Sequence, residues 1–166
     1  VGADRFFIIN GDTLTDISLS VLAADHQRSG ARVTLALVQN PDPRHYGGVT
    51  VDGSGRVVGF TPRGPANAGL HSIGVQVVNA DVFAALDPDQ PAESFSGVYR
   101  ELMARHPGSV RAFVGDAAFR DIGTAAHYLD TCLELARSEH SESTLIGRGG
   151  TVADGARIAN CVLWDD

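Results

Sequence analysis

FFIINGD, at residues 6–12, joins an unbroken apolar run to an abrupt polar end. Such a run is typical of a strand covered on both faces, as in a parallel sheet with helices on each side. The run stops at Asn10-Gly11, a pair that favours a turn, and Asp12 follows directly. Because ligands of open α/β sheets bind outside the carboxyl ends of the strands, Asp12 is a candidate site residue. An ordinary turn residue or helix cap explains Asp12 equally well at this point.

The segments that follow predict an α/β fold. Asp16 or Ser18 can cap a helix that ends at Gly30, and a strand at residues 33–38 then completes a βαβ unit. The turn Asp-Gly-Ser-Gly at residues 52–55 lies between two apolar segments and predicts a hairpin. We predict a Rossmann-like, mixed and mostly parallel sheet with helices on both faces. The later elements are a strand at 71–78, a helix around 98–103, a strand at 110–114 and a helix capped by Thr124.

The bulk composition excludes several classes of function. The chain has 166 residues, of which 43% are hydrophobic and 20% charged, as in a globular domain with a sizeable core. The net charge is -7 and all thirteen basic residues are arginine, so no broad basic field attracts nucleic acid or an anionic membrane. A small anionic ligand needs only local positive charge or a metal ion. No apolar run reaches the roughly 20 residues that span a bilayer and no signal-peptide pattern is present, which predicts a cytoplasmic protein.

The last part of the chain follows a different pattern. After Ser143, small residues separate apolar residues that recur at every sixth position, namely Ile146, Val152, Ile158 and Trp164. A six-residue period with small residues between is typical of a parallel β-helix. We therefore predict two domains, residues 1–140 and residues 141–166, the second being the first coil of a left-handed β-helix. Because the chain begins just before a buried strand and ends within this repeat, we expect it to be a fragment.

A second acidic residue has a setting similar to that of Asp12. Asp121 ends a short apolar segment and is followed closely by Gly123, as Gly11 adjoins Asp12. Carboxylate oxygens suit hard divalent cations, and Mg²⁺ is commonly held by one or two carboxylates together with substrate phosphates. Neighbouring glycines let a bulky ligand approach the backbone. The two acids are therefore a candidate metal site, and a turn residue before a capped helix is the alternative for Asp121.

Two loops rich in proline and glycine leave the predicted sheet and can cover a ligand. Tyr46 in the first offers a hydroxyl group or a ring face, and Arg63 in the second offers a two-pronged donor for phosphate. Exposed loop residues without a role are the alternative for both. The histidines form no HxxxH pair, and we expect them on the surface or in the core. The sequence contains no GxGxxG and no Walker-type loop.

With both acids and the tail considered together, the chain resembles the sugar-phosphate nucleotidylyltransferases. The branch that it resembles most contains the mannose-1-phosphate guanylyltransferases and related NDP-sugar pyrophosphorylases. The resemblance covers nearly the whole chain in the family's order. It is carried by FFIINGDTLTD at 6–16, HYGGVTVDGSGRVVGF at 45–60, SIGVQVVNADVF at 72–83, FRDIGTAAHYL at 119–129 and the hexapeptide tail.

This resemblance implies an activity and assigns roles to residues. Members of the family transfer a nucleotidyl group from an NTP, GTP in this branch, to a sugar 1-phosphate, giving an NDP-sugar and pyrophosphate. By resemblance, Asp12 and Asp121 are the catalytic acids and hold Mg²⁺. The substrate contacts implied in the same way come from Gly11, Tyr46, Gly47, Arg63 and Ser72. A homo-oligomer is also expected, because β-helix tails often associate.

Several departures from the family pattern leave alternatives open. The family's N-terminal glycine-rich loop is not in this sequence, so we expect the fragment alone to be inactive. The family's Glu-Lys-Pro is Pro62-Arg63-Gly64 here, and its Asn-Ala-Gly is Ser72-Ile73-Gly74. These changes leave the sugar undetermined and make a non-catalytic regulatory subunit that binds a nucleotide sugar the first alternative. The second, a β-helix acyltransferase, requires an active-site histidine in the tail, which has none.

Overall fold

The computed structural model describes residues 4–64, 69–140 and 144–165. The chain forms two compact units, which are described separately. The first contains the residues up to Gly11 together with Thr15–Phe119, and the second contains Asp12–Leu14 and the residues from Arg120 onward. The predicted domain boundary adjoins residues 141–143, which lie outside the described ranges, so that boundary stays a prediction.

The described chain contains both strands and helices. None of the helices in the described ranges has both the length and the apolar character needed to cross a membrane. The elements of the first part are β1 (Arg5–Ile9), β2 (Thr13–Thr15), α1 (Leu19–Ser29), β3 (Val33–Gln39), β4 (Gly48–Val51), β5 (Val57–Thr61) and β6 (Leu70–Asn79). A 3-10 helix (Ala80–Phe83) and a π-helix (Ser94–Tyr99) follow, and then α2 (Arg100–Arg105), β7 (Val110–Val114), β8 (Phe119–Asp121), α3 (Ala125–His140), β9 (Leu145–Ile146) and β10 (Val162–Leu163).

Helix α1 begins and ends at the residues that the sequence predicts. Of the two predicted caps, Ser18 is the one used: its hydroxyl oxygen accepts a hydrogen bond from the Val21 amide. Gly30 ends the helix in the left-handed conformation, with φ of 66°, where glycine carries no steric penalty. Leu22 of this helix is fully buried. Burial of this kind stabilises a fold by about 1.5–3 kcal/mol per large apolar side chain.

The main sheet has the strand order β5-β4-β6-β3-β7, with β1 also paired to β6. Strand β6 is antiparallel to both β1 and β3, so these two strands of the βαβ unit run in the same direction with β6 between them. Among the described pairs of this sheet, only β3 and β7 are parallel. The prediction of a mixed α/β sheet is therefore confirmed, and the prediction that it is mostly parallel is wrong.

Two apolar layers cover the two faces of the sheet, as predicted. On one face α1 supplies Leu22, which packs against Ile73, Val75 and Val77 of β6. On the other face the π-helix and α2 supply Tyr99 and Leu102. The strand residues that those two side chains cover are Val33, Leu35, Leu37, Val78 and Val110.

Strand β1 is less buried than its apolar sequence predicts. Phe6 packs near Phe83 and Ile8 packs on the core, but Phe7 is 37% exposed and Ile9 is 49% exposed. The prediction of a strand covered on both faces is thus wrong for the described residues. An apolar run shows that both faces tolerate burial, but it does not show that another element lies on each face.

In the second unit, α3 packs against the short strands β9 and β10. These strands are parallel, with Val162 beside Leu145 and Leu163 beside Ile146. The two strands are separated in sequence by about three hexapeptides, which is the length of one β-helix coil. The pairing alone does not confirm a left-handed β-helix. The four apolar residues of the six-residue period are exposed rather than inward-facing: Ile146, Val152, Ile158 and Trp164.

Candidate active site

Three strands of the first unit end at one edge of the sheet. Ile9 of β1 pairs with Val75, and Gln39 of β3 pairs with Leu70, so β1 ends beside the middle of β6 and β3 ends beside its start. Strand β7 runs parallel to β3 and ends at the same edge. Ligands of open α/β sheets bind at this kind of edge, and Asn10-Gly11 leaves the sheet there.

Gly74 shapes the exit of the chain from β1. Leu35 pairs with Gln76 and Leu37 pairs with Ser72. The segment of β6 between these two pairs is therefore longer than the segment of β3, so β6 bulges around Gly74. Gly74 has φ of +75°, and its carbonyl oxygen accepts a hydrogen bond of 2.8 Å from the Asn10 amide. The bulge therefore holds the first residue of the predicted Asn-Gly-Asp turn.

The two predicted acids lie together in the second unit. Asp12 directly precedes β2, Asp121 ends β8, and these strands pair with each other. The Ile122 amide donates a hydrogen bond of 2.9 Å to the Asp12 carbonyl oxygen. A Cβ atom added to Gly123 would lie 3.1 Å from one carboxylate oxygen of each acid, so those two oxygens are separated by at most twice that distance. Glycine at position 123 leaves the space between them open.

Local contacts fix the direction of the Asp121 carboxylate. Its Oδ1 atom accepts a hydrogen bond of 2.8 Å from the Gly123 amide, and its Oδ2 atom lies 3.5 Å from His127 Nδ1. The side chain is 24% exposed, whereas Asp12 is exposed. Two carboxylates around an open space are a donor set that suits a hard divalent cation. The residues present therefore fit a metal of this class.

An ion pair that sequence reasoning missed anchors β8 to α3. Arg120 donates from Nε to Glu134 Oε2 at 3.1 Å and from Nη2 to Oε1 at 2.6 Å, which is a two-pronged contact. Hydrogen bonding from Arg120 lowers the pKa of Glu134 below its ordinary value. Because Arg120 adjoins Asp121, the pair fixes the strand that carries the acid. Neither residue has a sequence signal, since the contact depends on how α3 docks.

An aromatic cluster holds the predicted substrate residue Tyr46 in the first unit. The Tyr46 ring lies 4.6 Å from the His71 ring and 5.5 Å from the Phe119 ring, measured between centroids. His71 donates from Nδ1 to the Gly47 carbonyl oxygen at 3.1 Å, and Asn40 donates to the Tyr46 carbonyl oxygen at 3.3 Å. Sequence reasoning gave His71 and Phe119 no role, because they come from separate segments.

The two predicted loops of the first unit are joined to each other. A Cβ atom on Gly47 would lie 3.0 Å from the Thr61 carbonyl oxygen, so this close approach favours glycine. The Gly64 amide donates a hydrogen bond of 2.8 Å to the Pro43 carbonyl oxygen. Arg63, just before Gly64, is exposed. The structure therefore brings the loops of Tyr46 and Arg63 together.

Gly11 and Ser72, the remaining predicted substrate residues, lie at the same edge of the first unit. Gly11 has open space where a side chain would be. Ser72 is half-buried on β6 and pairs with Leu37.

A family model described as "Nucleotidyl transferase" matches residues 1–138 of the chain. The chain belongs to the nucleotidyl transferase family. This membership confirms the family that the sequence resembles. Members of the nucleotidyl transferase family generally use a divalent metal, which agrees with the donor set of Asp12 and Asp121.

Individual nucleotidyl transferases are similar to the chain over much of its length. The mannose-1-phosphate guanylyltransferase of Mycobacterium tuberculosis is 29% identical over 164 residues, which are 94% of this chain and 44% of that protein. The D-glycero-alpha-D-manno-heptose 1-phosphate guanylyltransferase of Campylobacter jejuni is 33% identical over 125 residues, 74% of this chain and 52% of that protein. The chain thus spans about half the length of the curated relatives it matches.

The nucleotidyl transferase fold is also found among solved structures. HddC from Yersinia pseudotuberculosis, crystallised in complex with GMP-PN, has a TM-score of 0.63 and 21% sequence identity. The match covers 81% of this chain and 57% of that chain. At this identity the likeness establishes the fold.

Proposed function

We propose that the protein containing this chain transfers a nucleotidyl group from an NTP to a sugar 1-phosphate. An oxygen of the sugar phosphate forms a bond to the α-phosphorus, the bond to pyrophosphate breaks, and an NDP-sugar results. The observation that carries the proposal is the placement of Asp12 and Asp121 beside Gly123, where one carboxylate oxygen of each lies 3.1 Å from the position of an added Cβ atom. Family membership supports it, and the names of two guanylyltransferase relatives support GTP as the NTP.

Mg²⁺ is the ion proposed for Asp12 and Asp121. When bound, such an ion neutralises phosphate charge, and phosphoryl-type transfer depends mainly on positioning and on that neutralisation. Gly123 keeps the space between the carboxylates open, and its amide orients Asp121. The Arg120–Glu134 pair keeps the strand of Asp121 in place.

The proposed substrate residues are those of the first unit. Tyr46, Gly47 and Ser72 are assigned to the sugar, and Arg63 to its phosphate, because a guanidinium group matches phosphate with two parallel donors. Gly11 is assigned to the nucleotide, since the open space around it lets a bulky ligand reach the backbone. Ser72 is half-buried and Arg63 is exposed, so a ligand can reach both side chains.

The tail is proposed to be the first coil of a left-handed β-helix. Its six-residue period and the parallel pairing of β9 with β10 support this proposal. The homo-oligomer and the cytoplasmic location stay predictions from the sequence.

Asp12→Asn and Asp121→Asn test the proposed function. Pyrophosphate release is measured in full-length protein over several pairs of NTP and sugar 1-phosphate. We expect each variant to lose about 100-fold or more in rate, since each removes a charged ligand. Asp130→Asn, which changes an exposed acid of the same unit, is the matched control and should keep the wild-type rate.

Two results would count against this function. A near-normal rate in either Asp12→Asn or Asp121→Asn would remove that acid from the metal site. If the wild-type protein turned over no pair of substrates but bound an NDP-sugar tightly, the non-catalytic regulatory subunit would replace the enzyme.

A further inference from the structure

Asp16 does not cap α1, because the cap is supplied by Ser18. Its carboxylate contacts a distant segment instead: Asp16 Oδ1 accepts a hydrogen bond of 2.7 Å from the Ala118 amide, across 102 positions of the chain. Hydrogen bonds from nitrogen to a charged carboxylate oxygen are about 2.7–2.9 Å long, so the contact has the length of a charge-assisted bond. It joins the residue that follows β2 to the residue that precedes β8.

Strands β2 and β8 form a separate sheet of two strands, each three residues long. Asp12 directly precedes β2 and Asp121 ends β8, so this pair of strands carries the two acids of the proposed metal site. A sheet of only two strands is marginally stable by itself, and a slip of one residue would turn every side chain of the slipped strand to the opposite face. The relative position of the two carboxylates therefore depends on the contacts that fix the register of β2 on β8.

The two strands are fixed by different means. Strand β8 is held by the two-pronged ion pair of Arg120 with α3. In β2 the one apolar side chain, Leu14, is 41% exposed, so burial does not fix the register of this strand. Contacts at the two ends of β2 do so instead: the Asp12 carbonyl oxygen and the Asp16 carboxylate accept hydrogen bonds from the amides just after and just before β8.

We propose that Asp16 is a positioning residue for the nucleotidyl transfer. Its hydrogen bond from the Ala118 amide sets the register of β2 on β8, and the register sets the distance between the carboxylates of Asp12 and Asp121. The inference rests on the proposed function, which assigns those two acids to Mg²⁺. Asp16 itself contacts neither the ion nor the substrates in this role. Because the amide oxygen of asparagine can accept the same hydrogen bond, the role requires an acceptor atom at position 16 and not a negative charge.

The test compares Asp16→Ala and Asp16→Asn with the wild type in full-length protein. Titration calorimetry with Mg²⁺ gives the affinity, and pyrophosphate release gives kcat and the KM for the sugar 1-phosphate. We expect Asp16→Ala to weaken Mg²⁺ binding and to lower kcat by about tenfold each, with the KM for the sugar 1-phosphate unchanged. Asp16→Asn should recover most of both losses, because it keeps the acceptor. Asp116→Ala removes an exposed acid shortly before β8, and this control should match the wild type.

Hydrogen exchange of backbone amides tests the same bond without a kinetic assay. In the wild type the Ala118 amide should exchange slowly. In Asp16→Ala the amides at both ends of β8, those of Ala118 and Ile122, should exchange faster, because loss of one end contact loosens the whole ladder. The Gly55 amide, which donates a hydrogen bond within the hairpin turn, is the control and should not change. Faster exchange at Ala118 alone, with unchanged Mg²⁺ affinity, would limit Asp16 to a local contact and overturn the proposal.

The outcomes separate the inference from the function on which it rests. Mg²⁺ binding and turnover that Asp12→Asn abolishes, but that Asp16→Ala leaves at the wild-type level, would overturn the role of Asp16 and leave the function in place. An Asp16→Asn variant as defective as Asp16→Ala would also contradict it. Absence of both Mg²⁺ binding and turnover in the wild type would overturn both proposals. Rapid exchange of the Ala118 amide in the wild type would refute the bond without any substitution, so misfolding of a variant does not obscure the result.

Discussion

The side chain of Asn10 lies against Gly74, in the space that a side chain at position 74 would need. A Cβ atom built there would be 2.8 Å from Asn10 Cγ, and the φ of +75° would strain any L residue. The same two residues share a backbone hydrogen bond. The bulge of β6 and the turn after β1 are therefore one packed unit.

Gly74→Ala should lower the free energy of unfolding by about 1–3 kcal/mol, because it adds a close contact to backbone strain. Chemical denaturation measures the change. Gly59→Ala is the control: this strand glycine has open space and no positive φ, so its variant should stay within about 0.5 kcal/mol of the wild type. Equal stability of the two variants would show that Asn10 moves aside without penalty.

Gly123→Ala should weaken divalent-cation binding by about tenfold. The new methyl group would lie 3.1 Å from one carboxylate oxygen of Asp12 and one of Asp121, so both carboxylates must move. Titration calorimetry with Mg²⁺ and with Mn²⁺ measures the effect. Gly53→Ala, in a hairpin turn with open space, should bind both ions as the wild type does. An unchanged affinity in Gly123→Ala would mean that cation binding does not depend on the positions of the two carboxylates.

Tyr99→Phe should destabilise the first unit by about 1–2 kcal/mol. The fully buried Tyr99 hydroxyl donates a hydrogen bond of 2.7 Å to Gln76 Oε1, and its loss leaves a buried acceptor unsatisfied. Burial also raises the pKa of Tyr99 above its ordinary value, so the hydroxyl stays protonated. The double variant Tyr99→Phe/Gln76→Leu removes both partners and should recover part of the loss. A double variant less stable than the single one would contradict this account.

Asp52→Asn should change how the stability of the protein depends on pH. Hydrogen bonds from the Ser54 hydroxyl and from the Ser54 and Arg56 amides lower the pKa of Asp52 from 3.8 to about 2. A lowered carboxylate pKa contributes stability that is present above pH 3.8 and is lost as the pH falls towards 2. Thermal melts in that window should therefore fall less steeply for Asp52→Asn than for wild type. The exposed control Asp89→Asn should retain the wild-type slope.

The parts of the fold that the sequence predicts well depend on local signals. Ser18 and Gly30 cap α1 through contacts within a few residues, and the turn at residues 52–55 connects two strands that pair with each other. Asp12 and Asp121 are distant in sequence, but Asp12 comes soon after the end of β1 and Asp121 is the last residue of β8, and strand ends are where α/β folds gather site residues. The predicted pair is therefore found together.

The parts that the sequence misses depend on which distant segments meet. Nothing in the pattern of β6 indicates that it lies between β1 and β3, because hydrogen-bond partners are not encoded in one strand. The exposure of Phe7 has the same origin. His71 joins the ring cluster of Tyr46 only because β6 begins at the edge where β3 ends.

The two loops that carry Tyr46 and Arg63 are attached to the sheet without being part of its core. Arg63 is exposed, Gly64 is held by a backbone hydrogen bond to Pro43, and neither belongs to the buried layers around Leu35 or Leu22. Substitutions of side chains in this segment during evolution therefore change the free energy of unfolding only slightly. Under the proposed function, selection for a different sugar acts on such residues first, while the core of the sheet stays unchanged.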